Sequence, residues 1–167
     1  MIKLEALSKM KDEDRYKYML ILLEGQLSSE KDSLANLCNA AAIIKAAMER
    51  LNWVGFYILR GNHLVLGPFQ GLPACNRIEI GKGVCGTSAY ERKLMRIEDV
   101  HLFPGHIACD CASNSEIVIP IINCDKVYGV LDLDSPEKGR FGELEEKYLI
   151  KFVEKLNKYI NWEEIGG

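Results

Sequence analysis

The sequence has no hydrophobic run long enough to cross a bilayer; its longest apolar stretches fall far short of the ~18 residues a spanning helix needs. It also lacks an apolar leader. Met1-Ile2-Lys3-Leu4-Glu5 brings in charge at once, so the expected location is cytoplasmic, with no membrane association. Positive charge is not in excess: 21 Lys and Arg against 24 Asp and Glu leave a net charge of -3. Without a basic patch, nucleic acid is not an expected partner. Internal repeats, low-complexity segments and linkers are missing as well. One domain over residues 1–167 is therefore expected, since single cores commonly serve ~100–200 residues.

What is present is thiol. Six cysteines stand at 38, 75, 85, 109, 111 and 124. A secreted disulfide framework suits short chains with little core, and 48% hydrophobic residues provide ample core here. Cys75 follows Gly71-Leu72-Pro73-Ala74, and Cys85 follows Gly81-Lys82-Gly83-Val84. Cys109 and Cys111 follow Gly105-His106-Ile107-Ala108. Glycine-rich loops bring backbone amides close to a site. Amides, helix N-termini and cations lower a thiol pKa, and Cys85 near a helix start and Cys109 near His106 fit that pattern. A zinc site normally shows C-x₂₋₄-C pairs, and Cys109-Asp110-Cys111 is tight for one ion. Zinc, inert burial and redox chemistry all remain open from spacing alone.

The apolar pattern predicts two opening helices. The first carries Tyr16, Met19, Leu20, Leu23 and Leu27 after a cap at Asp12. The second covers about 29–50, with Ser29 and Asp32 at capping-box spacing and a stripe of Leu34, Leu37, Ala41, Ile44 and Met48. Residues 52–59 and 63–66 read as a hairpin, 67–86 as mostly loop, and 83–92 as a short helix. A long irregular stretch, 98–115, precedes strands at 116–121 and 127–134. A helix over about 142–160 closes the chain, with Leu149, Phe152, Val153, Leu156 and Ile160 inward. This order predicts an α+β fold with an antiparallel sheet. Long loops are uncommon unless functional, and both of these carry cysteines.

Two further groups attract attention. In Val130-Leu131-Asp132-Leu133-Asp134, alternation puts both Asp residues on one face, and Glu116 begins the neighbouring strand. This is either a solvated strand face or a focus of negative charge. It lacks a calcium-loop pattern, and no Lys or Arg adjoins these acids in sequence. Trp53 and Tyr57, four apart on a strand, share a face. They are either core or a wall for a sulfur-bearing ligand. His101 and His106 lie in the long loop, as thiol polarisers or structural hydrogen-bonders.

Taken together, Leu66-Gly67-Pro68-Phe69-Gln70-Gly71, Gly81-Lys82-Gly83-Val84-Cys85-Gly86, Phe103-Pro104-Gly105-His106-Ile107-Ala108-Cys109-Asp110, Ser115-Glu116-Ile117-Val118-Ile119-Pro120 and Gly129-Val130-Leu131-Asp132-Leu133-Asp134-Ser135-Pro136 resemble the signature of free methionine-R-sulfoxide reductases. The resemblance spans residues 52–141. It implies a single GAF domain, with helices covering one side of a central sheet and a small-molecule pocket on the other. It also implies Cys109 as nucleophile and Cys75 and Cys85 as the cysteines that assist turnover. Trp53, Tyr57, Glu116, Asp132 and Asp134 become the residues that enclose substrate. Cys111 departs from the pattern, which usually has a small non-thiol residue there.

The implied chemistry needs no metal or cofactor. The Cys109 thiolate attacks the sulfoxide sulfur and becomes a sulfenic acid, which a second thiol converts to a disulfide that thioredoxin reduces. Free methionine-R-sulfoxide and thioredoxin are the expected partners, and a homodimer is compatible with the chain. The rival reading is a GAF small-ligand sensor without catalysis, since fold alone does not assign function.

Overall fold

Helix-period apolar residues become a helical layer in the computed structural model, which describes residue 7, residues 9–105 and residues 111–166. Helix α1 (Asp12–Ser29) buries Tyr16, Met19, Leu23 and Leu27 on one face. Lys11, not Asp12, is its N-terminal flanking residue, and three acids in the first turn suit the positive end of the helix dipole. Helix α2 (Ser33–Ala47) starts later than the sequence predicts. Asp32 itself is the cap, its carboxylate accepting from the Ala35 N–H at 2.7 Å, while Ser29 is the last residue of α1. The expected stripe holds except for Leu34, which is exposed. Ala40, Ala41 and Ala47 are buried and allow close approach to the sheet.

Six strands form one sheet: β1 (Trp53–Arg60), β2 (His63–Gln70), β3 (Arg77–Glu79), β4 (Met95–Ile97), β5 (Ser115–Asn123) and β6 (Lys126–Ser135). Their order is β3-β2-β1-β6-β5-β4, with every pairing antiparallel. Between β2 and β4 run β3 and helix α3 (Gly83–Glu91), and helices α4 (Glu143–Tyr159) and α5 (Trp162–Gly166) close the chain. The α+β fold is as the alternation predicted. Strands β3 and β4 and helix α5 are additions: three- to five-residue elements carry too little periodicity to stand out. The β5–β6 hairpin turns on Cys124 and Asp125 with φ of 47° and 60°, the left-handed pair a two-residue hairpin requires.

Period-two alternation sorts the strands between two cores. Val54, Phe56, Ile58, Ile117, Ile119, Ile121, Leu131 and Leu133 pack against α1, α2 and α4 in the larger one. Full burial of each such side chain contributes roughly 1.5–3 kcal/mol. Trp53, Tyr57, Leu64, Val118 and Val130 face the other way and meet Val84, Cys85 and Ala89 of α3. A polar knot locks the helical layer. The Arg140 guanidinium donates to Glu145 Oε1 at 2.8 Å and to the Tyr16 hydroxyl at 3.1 Å, and also reaches the Glu49 carbonyl. Glu145 in turn accepts from the Gly142 N–H that begins α4.

Candidate functional site

The second face of the sheet gathers the singled-out residues through cross-strand register. One row runs Phe69, Gly55, Asp132, Val118 and Met95 across β2, β1, β6, β5 and β4. The adjacent row runs Trp53, Asp134, Glu116 and Ile97. Acids that stand 18 residues apart in the sequence thus become neighbours: Glu116 sits directly opposite Asp134, and next but one to Asp132. Gly55 provides the gap in the first row. A Cβ there would stand 2.4 Å from the Phe69 Cβ and 2.6 Å from the Trp53 ring.

The aromatic side of the site has three rings rather than two. Trp53 stacks on Tyr57 at 5.8 Å and on Phe69 at 5.5 Å. Phe69 escapes a reading that takes Gly67-Pro68 as a loop signal. A bulge absorbs those two residues opposite Phe56, so β2 continues through them. The polar ends of the rings are also in use. The Trp53 indole N–H donates to the Leu72 carbonyl at 3.2 Å, and the Tyr57 hydroxyl donates to the Cys75 carbonyl at 3.0 Å. The two residues expected as substrate walls therefore also hold the loop that carries Cys75.

Cys85 lies in the first turn of α3 and is buried. Its thiol points at Glu116 Oε1, 3.8 Å away, and Asp132 completes a group whose S and O atoms lie within 4.8 Å of one another. This environment reverses the activation expected of a thiol at a helix start. Burial, followed by the charges of Asp132 and Glu116, pushes the Cys85 thiol well up. Burial and the neighbouring Asp132 likewise hold Glu116 far above the usual carboxylate range. Burial raises Asp132 from 3.8 to about 7. Burial, then Asp132, raises the Tyr57 hydroxyl too. One carboxylate oxygen of Asp132, Oδ1, has no hydrogen-bond partner among the described residues.

The remaining sulfurs divide clearly. Cys38, Cys85, Cys111 and Cys124 are free thiols, and all but Cys85 are exposed. Cys75 is half-buried and stands as a disulfide-bonded cysteine. Cys109 and His106 lie outside the described residues. Described residues on either side of them are joined: Val100 N–H donates to the Asn114 carbonyl at 3.0 Å, and Asn114 N–H donates to the Ser135 carbonyl at 2.8 Å. His101 bonds the Asn114 side chain at 3.0 Å, the structural alternative of its two readings.

The chain is similar to known proteins over most of its length. The family model "GAF domain" matches residues 32–160. The chain is 52% identical to protein YtsP of Bacillus subtilis over 160 residues, covering 95% of this chain and 98% of that one. It is 48% identical to the free methionine-R-sulfoxide reductase of Escherichia coli over 134 residues, covering 80% and 81%. Among solved structures, free methionine-R-sulfoxide reductase from Neisseria meningitidis in complex with its substrate superposes with a TM-score of 0.88. That match has 37% identity and covers 95% of each chain.

Proposed function

The chain belongs to the GAF-domain family of free methionine-R-sulfoxide reductases, and we propose that it reduces free methionine-R-sulfoxide to methionine. The observation that carries this reading is the meeting, on one sheet face, of a three-ring aromatic wall, the Cys75 loop tied to it and a buried acid pair. In this reading the aromatic faces hold the thioether end of the substrate. Asp132 and Asp134 receive its ammonium group, and Glu116 completes the enclosure.

Cys109 supplies the nucleophile. Its thiolate attacks the sulfoxide sulfur while a carboxyl protonates the oxygen; methionine leaves and Cys109 becomes a sulfenic acid. Glu116, whose carboxyl is pushed up by burial and then by Asp132 and Asp134, is the proton source best supported. A second thiol then displaces water from the sulfenic acid to form a disulfide. Cys75 suits that step better than Cys85: it lies on a loop and is disulfide-bonded, whereas Cys85 is a free thiol buried against two acids. A thioredoxin-type dithiol returns the pair to its reduced state by exchange.

The test is reduction of free methionine-R-sulfoxide with a thioredoxin system, by the full chain and by Cys109→Ser. Serine cannot replace a thiolate at neutral pH, so product should vanish even in a single turnover. Normal single-turnover product from Cys109→Ser would place the nucleophile elsewhere.

A further inference from the structure

The buried thiol–acid group has a second chemical capacity that reduction does not use. Cys85 on α3, Glu116 on β5 and Asp132 on β6 each present a ligand atom, all within 4.8 Å of one another. The Cys85 Sγ to Glu116 Oε1 separation is 3.8 Å. A tetrahedral zinc ion with bonds of ~2.0–2.3 Å sets its ligand atoms roughly 3.3–3.8 Å apart. Small side-chain rotations are therefore enough to close the group around an ion.

A separate observation points the same way. Asp132 is 6% exposed, yet its Oδ1 makes no hydrogen bond with any described residue. A buried carboxylate oxygen without a donor is costly, and a cation would satisfy it. The donor set also selects the ion. One sulfur with two oxygens suits a borderline ion such as Zn²⁺, whereas Mg²⁺ and Ca²⁺ take six or more oxygens. Three protein ligands leave a fourth position for water.

We propose that Cys85, Glu116 and Asp132 form an inhibitory site for a borderline divalent cation, Zn²⁺ by class, whose occupancy excludes the ammonium group of the substrate. The exclusion rests on the proposed function, which puts that ammonium at Asp132; the cation site does not.

Co²⁺ serves as the probe, added to the full chain reduced with a phosphine. One equivalent should bind with a near-ultraviolet sulfur-to-cobalt charge-transfer band, and Zn²⁺ should displace it. Cys85→Ser should abolish the band. Asp132→Asn should weaken Co²⁺ at least tenfold, and carries the test alone if Cys85→Ser does not fold. Cys38→Ser and Cys124→Ser should change neither. Saturating methionine-R-sulfoxide should lower the apparent Co²⁺ affinity. A band that persists in Cys85→Ser, full affinity in Asp132→Asn, or no uptake of Co²⁺ overturns the site. Indifference to methionine-R-sulfoxide overturns the inhibition. A chain that binds Co²⁺ through Cys85 but reduces no sulfoxide overturns the proposed function and leaves the cation site standing. A chain active in chelator that takes up no Co²⁺ does the reverse.

Discussion

Asp132 is the residue on which charge and stability meet. Its carboxyl, raised from 3.8 to about 7 mainly by burial, resists ionising in the folded chain. A raised folded pKa favours folding at low pH, and that contribution is lost as pH climbs through about 7. We therefore expect the ligand-free protein to lose stability between pH 4 and 8. Asp132→Asn, which cannot ionise, should escape that loss. Urea unfolding at pH 5 and pH 8 should show the variant gaining on the parent by something on the order of 2–4 kcal/mol at the higher pH. Equal pH dependence in both proteins would mean that Asp132 ionises freely. Tyr57 allows a finer test. Tyr57→Phe keeps the stacked ring but removes the bond to the Cys75 carbonyl, worth ~0.5–1.5 kcal/mol. Methionine release in a single turnover should be unchanged, while disulfide formation, followed by thiol quenching, should slow roughly two- to tenfold. An equal slowing of both steps would give Tyr57 a role in the reduction itself.

At the scale of elements, the knot of Arg140, Glu145 and Tyr16 joins the end of the sheet to α1 and α4. Arg140 also covers the Glu49 carbonyl just beyond α2, so one guanidinium ties three helices. Desolvation opposes ionisation of Glu145, but its bonds to Arg140, Gly142 and Tyr16 win and lower its pKa. Arg140→Ala would leave that carboxylate buried without its cation, at a cost of ~3–5 kcal/mol. Chemical denaturation should show this loss, while the near-ultraviolet signal of the Trp53 stack on the other sheet face should persist in the folded fraction. A loss under ~1 kcal/mol would show that water replaces the guanidinium.

At the scale of the whole molecule, the proposed function makes a claim about substrate class. The free amino acid carries an ammonium group that an internal residue of a protein lacks. A buried acid group facing that ammonium should reject an acylated amine. An acylated amine forgoes a charge-assisted contact worth ~1.5–3 kcal/mol, and each 1.4 kcal/mol is about tenfold. N-acetylated methionine-R-sulfoxide should thus show kcat/KM roughly ten- to a hundredfold below that of the free form. Comparable values would show that the carboxylates do not read the amine.

Much of this was open to reading in the chain itself. Alternation alone put Leu131 and Leu133 on one face and Asp132 on the other, because side chains on a strand must alternate, and the structure turns the leucine face to the helices. Helical periodicity did the same for α1 and α4, where Tyr16 and Phe152 mark inward faces. Phe69 was hidden because Gly67-Pro68 has the composition of a loop, and only pairing with β1 shows that a bulge carries the strand through. The pKa of Cys85 was equally hidden. Its place at a helix start argues for a low value; the fold surrounds it with protein and sets Glu116 and Asp132 against it. Periodicity is a local property, so the sequence by itself determined which residues face which way. Register and burial depend on segments far apart in the chain, so only the tertiary structure decided that Glu116 lies across from Asp134, that Gly55 leaves room for three rings, and that Cys85 is a buried thiol whose pKa is pushed up.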